Sequence, residues 1–61
     1  MKRYIFLVAH GYEIMKGYVC ANDKKQATTM ILNKCWDDII DEYETDEFTE
    51  GYEILEIIES V

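Results

Sequence analysis

Residues 24–44 read KKQATTMILNKCWDDIIDEYE, with neither Pro nor Gly. At roughly 100° per residue, Ile31, Leu32, Cys35, Trp36, Ile39 and Tyr43 share one side. Asn33, Lys34, Asp37, Asp41 and Glu44 fall on the other. The apolar stripe covers about half the circumference, the pattern of a helix lying on a sheet. Asn22-Asp23 precedes it, and either side chain suits an N-cap. The spacing predicts one helix over about 24–44.

Upstream, Tyr4–Ala9 is a continuous apolar, β-rich run and predicts a strand over about 3–9. His10-Gly11 is a turn signal, because Gly adopts positive φ cheaply. A second strand follows over about 12–21, weakened at Gly17, with Leu7 opposite Ile14 and Ile5 opposite Lys16. Downstream, 45–50 reads as an acidic loop, and Gly51 precedes a strand over about 52–59. The expected fold is α+β: one ββαβ domain over 1–61. Its three-stranded antiparallel sheet has order 2-1-3, with one helix on one face.

A 61-residue chain has one small core. With 49% hydrophobic and 31% charged residues it has a globular composition. Thirteen acids against six bases give −7. All six bases (Lys2, Arg3, Lys16, Lys24, Lys25, Lys34) precede residue 37, beside only Glu13 and Asp23, for +4. Residues 37–61 carry eleven acids and no base, for −11. That excess disfavours direct contact with nucleic acid, whose phosphates it repels. It favours attraction to basic surfaces. The six-residue apolar run after Met1-Lys2-Arg3 is too short for a signal-peptide core or a membrane span. A cytoplasmic chain with reduced thiols is expected.

The acids form the first candidate site. Asp37, Asp38, Asp41 and Glu44 on the helix, with Asp46, Glu47 and Glu50 beyond it, would form a partner-binding face. The alternative is a merely solvated surface. The spacing is not that of an EF-hand loop, and no metal or other cofactor is expected. Cys20, Cys35 and His10 lack metal-ligand spacing and read better as two buried thiols and a turn residue. No nucleophile–base pair or Gly-rich phosphate loop is evident, so no enzyme is expected. The aromatics serve packing or interface contacts rather than base stacking, which needs basic companions.

The second candidate is a sheet face. If Phe6, Val8, Met15, Val19 and Ala21 face the helix, Ile5, Leu7, Ile14 and Tyr18 face away with Cys20. One helix covers one face only, and an uncovered apolar face marks an interface. A homodimer packed through Ile5, Leu7, Ile14 and Tyr18 is expected.

The run Tyr18-Val19-Cys20-Ala21-Asn22-Asp23, then Ala27 in a long helix and Tyr52-Glu53-Ile54-Leu55, resembles small acidic ββαβ proteins of phages and mobile elements. Some of these are nucleic-acid mimics that inhibit host defence, anti-CRISPR proteins among them. The resemblance is one of architecture and spans nearly the whole chain. It implies a non-enzymatic inhibitor that occupies a basic, nucleic-acid-binding surface of a partner protein. The other reading is a homodimeric interaction module whose acidity serves only solubility.

Overall fold

A computed structural model describes residues 1–60. The described residues form two strands and one helix: β1 (Lys2–Ala21), α1 (Lys24–Leu32) and β2 (Asp38–Ser60). The strands pair antiparallel as a two-stranded sheet, from Arg3 opposite Ser60 to Tyr18 opposite Asp38. The expected three-stranded sheet of order 2-1-3 is therefore incorrect. His10-Gly11 and residues 45–50, taken as a turn and a loop, lie inside β1 and β2.

The glycines bend the strands without ending them. Gly11 and Gly51 have φ of +63° and +74°, and the ladder shifts register on both sides of Gly11. Such bulges bend a strand while pairing continues. Twenty extended residues would span about 66 Å, yet the longest dimension is 35 Å. β1 accordingly doubles back: the Arg3 guanidinium lies 4.5 Å from the centre of the Tyr18 ring. The Phe6 ring likewise approaches Gly17, where a Cβ would lie 2.8 Å from Phe6 Cζ and 2.5 Å from the Asp38 carbonyl oxygen. Gly17 is thus required by close approach.

The helix is less than half its expected length. Its start follows the sequence: the Asp23 carboxylate accepts the Gln26 N–H at 2.8 Å, and Gln26 Oε1 accepts the Asn22 N–H at 2.7 Å. Its end comes twelve residues before the expected Glu44. Lys34 takes φ +61°, its N–H donates to the Ile31 carbonyl, and the Cys35 N–H donates to the Met30 carbonyl. This pair of bonds is the Schellman closure, built on Lys34 where glycine is usual. The next residues then find partners on β1. The Asp37 N–H donates to the Tyr18 carbonyl at 3.0 Å, and Asp37 Oδ2 accepts the Cys20 N–H at 2.8 Å. Ile39, Ile40, Tyr43 and Thr45 are β-favouring residues, and pairing to β1 takes 38–44 away from the helix.

The core joins Tyr4, Phe6, Val8, Met15, Val19 and Ala21 of β1 to Ala27 and Ile31 of α1. Buried positions are even through Val8 and odd from Met15 onward, a change of phase made across the bulges. A nine-residue helix is marginal alone, so α1 depends on burying Ala27 and Ile31. Trp36, Ile39, Tyr52, Ile54 and Ile57 close the rim. None of β2's described residues is itself buried.

Candidate functional site

The acidic residues lie on a strand, not on a helix. Ten of the eleven C-terminal acids belong to β2, and all ten are exposed. Asp37 stands apart. Its backbone N–H and its carboxylate both engage β1, so it extends the ladder past Tyr18. Its role here is structural. Asp38 sits opposite Tyr18, and its Oδ1 accepts the Ile39 N–H at 2.8 Å. Asp41 sits opposite Lys16 and accepts the Glu42 N–H at 2.9 Å. Glu44 faces Glu13 directly across the ladder, a like-charge pair that weakens the sheet locally. Asp46, Glu47 and Glu50 occupy the middle of β2, beside Thr49 opposite Gly11.

This acidic strand is wider than the spacing argument allowed. Glu42, Glu53, Glu56 and Glu59 extend it to the C-terminal end of β2, and Glu13 joins Glu42 and Glu44 around a shallow hollow beside Tyr43. Continuous acidity through 37–59 was the signal, but the helical reading divided it into face, loop and strand. One partner for the acids is local: Lys2 Nζ lies 3.4 Å from Glu59 Oε1. Both side chains are about half exposed, so the pair adds little stability.

Ile5, Leu7, Ile14 and Tyr18 are half-buried and lie opposite Ile58, Glu56, Tyr43 and Asp38. Side chains of directly opposed residues share a face. Ile5, Leu7, Lys16, Tyr43, Glu56 and Ile58 surround one hollow there. Sequence reading left Tyr43 out of this face because it placed it on the helix.

The remaining candidates do not converge. His10 is exposed and stacks on Tyr52, with ring centres 4.4 Å apart and planes 6° apart. Lys34 Nζ lies 5.0 Å from the same tyrosine ring. Cys20 and Cys35 are free thiols, but Cys35 is exposed and Cys20 only partly covered, not buried as expected. Among the described residues, no charged or polar side chain is buried, and no group of three His, Cys, Asp or Glu is placed to hold a metal ion. No helix among them is long and apolar enough to cross a membrane.

Comparison with protein-family models, with curated proteins and with solved structures gave no match.

Proposed function

We propose that the chain is a non-catalytic binding protein that presents β2 to a basic surface of a partner protein, as an inhibitor would to a nucleic-acid-binding groove. One observation carries the reading. β2 holds ten carboxylates and no base along 23 residues, all of the carboxylates turned to solvent. Self-repulsion at this density opposes folding. A basic partner relieves it by pairing its Lys and Arg with the carboxylates. At about 3.3 Å per residue, β2 offers one carboxylate per about 7.6 Å of contour. A nucleic-acid strand offers one phosphate per about 3.4 Å of its axis. β2 therefore suits a basic surface whose cations are more widely spaced than the phosphates of a nucleic-acid strand.

A second reading rests on the sheet. In a two-stranded sheet one edge of β2 is unpaired, and charged side chains discourage strand addition at such an edge. The acids then serve solubility alone.

One variant separates the readings: Glu42, Glu44, Glu47 and Glu50 to Gln, with Asp46 to Asn. The binding reading expects parent protein to capture a partner from cytosolic extract, excess duplex DNA to displace that partner, and the folded variant to lose it. Capture unchanged in the variant contradicts this reading. Loss of solubility in the variant, with no DNA-displaceable partner for the parent, establishes the edge-guard reading instead.

A further inference from the structure

The face opposite the helix differs from the rest of the surface in charge. Ile5, Leu7, Ile14, Tyr43 and Ile58 give it an apolar centre, and the ladder places Ile5 against Ile58 and Ile14 against Tyr43. Ile58 and Tyr43 are 52% and 45% exposed. Around that centre stand two cations and three carboxylates. Lys16 sits opposite Asp41, Glu56 opposite Leu7 and Asp38 opposite Tyr18, and Arg3 lies over Tyr18. In a chain of net charge −7, this face sums to only −1.

We propose that this face binds a second copy of the chain. A two-fold interface is isologous: each patch meets its own duplicate, so it must carry both members of every complementary pair. An apolar centre ringed by charges of both signs meets that requirement. A partner selected by acidity would instead be drawn to 42–50, where β2 carries Glu42, Glu44, Asp46, Glu47 and Glu50 and no base. Size sets a condition. The broad face of a body 35 × 18 Å across is about 630 Å² before side-chain relief. A standard interface takes about 800 Å² per partner, so the dimer must engage the whole face, side-chain relief included.

The two kinds of association have opposite salt dependence. Two copies bring −14 together, so screening strengthens the dimer, whereas it weakens attachment of β2 to a basic partner. Sedimentation equilibrium of the full chain tests this at low and near-physiological salt. Self-association should tighten as salt rises. Ile58→Lys should weaken it by at least about tenfold, with the far-UV circular dichroism of the parent retained. Ile58 is half exposed, so the ammonium stays solvated in the free chain and is buried only in the dimer. Phe48→Lys is the control: Phe48 is 64% exposed, lies against Tyr12 and is outside the hollow. It should dimerise like the parent. A parent monomeric at hundreds of micromolar, or equal weakening by both variants, overturns the proposal.

Discussion

β1 and β2 are paired along their lengths yet share almost no work. β1 supplies Tyr4, Phe6, Val8, Ala9, Met15, Val19 and Ala21 to the interior, while β2 supplies rim contacts through Ile39, Tyr52, Ile54 and Ile57. Among the described residues β1 and the short helix hold all of the buried side chains, and β2 holds ten of the chain's thirteen acids. The difference teaches where each kind of change should register. Substitutions in β1 should be read in stability, and substitutions of β2 acids in association.

The largest effect belongs to Gly17. A valine there would drive its Cβ into the Asp38 carbonyl oxygen and the Phe6 ring. Backbone cannot yield as a flexible side chain can, so Gly17→Val should leave the chain unfolded at 25 °C by circular dichroism. Phe6→Ala, in the middle of the core, should cost about 3–5 kcal/mol in urea titration. Native-like stability of either variant would mean that β1 does not double back over its own second half.

Asp37 sharpens the division, because it is an acid that should behave like a β1 residue. Asp37→Ala removes the carboxylate that accepts the Cys20 N–H. It should cost about 1 kcal/mol by urea titration, with Asp37→Asn costing less because an amide oxygen still accepts that bond. An effect no larger than for Asp46→Ala would return Asp37 to the surface acids.

These residues also show how far the sequence could be read. The assignment of Phe6, Val8, Met15, Val19 and Ala21 to the interior follows from strand alternation on each side of a glycine, and all five are buried. The helix start at Asp23 was legible because capping chemistry is local. Its end was not. Ile39 and Tyr43 are four residues apart, a spacing that fits a helical stripe, whereas the register shift at Lys16–Gly17 sends them to opposite faces of the sheet, and Lys34 takes the left-handed cap position without being glycine. Gly11 and Gly51 read as breaks, whereas the bulges let pairing run past them. The acids were identifiable by type. Their arrangement was not, since it depends on which element carries them, and Asp37 needed Cys20 and Tyr18 beside it to declare its role.

Smaller effects should be stabilising. Lys34→Gly relieves the left-handed strain at the helix end, partly offset by the greater freedom of glycine in the unfolded chain. It should gain about 0.5 kcal/mol in the same titration. Glu44→Lys replaces the Glu13–Glu44 repulsion with an attraction and should gain about 0.5 kcal/mol at low salt, shrinking as salt is added. Destabilisation by either would contradict the helix end or the β1–β2 register, respectively.

The division of labour between the strands is tested most directly by the thermal unfolding of one variant. Glu42, Glu44, Glu47, Glu50 and Glu53 become Gln, with Asp46 to Asn, at fixed protein concentration and salt. If β2 carries the surface and β1 the fold, Tm should hold or rise by a few degrees as self-repulsion falls. A domain this size loses about 4–8 °C per kcal/mol. A fall of more than about 8 °C would mean that the acids of β2 hold the fold together, and the account of two strands with separate work would be wrong.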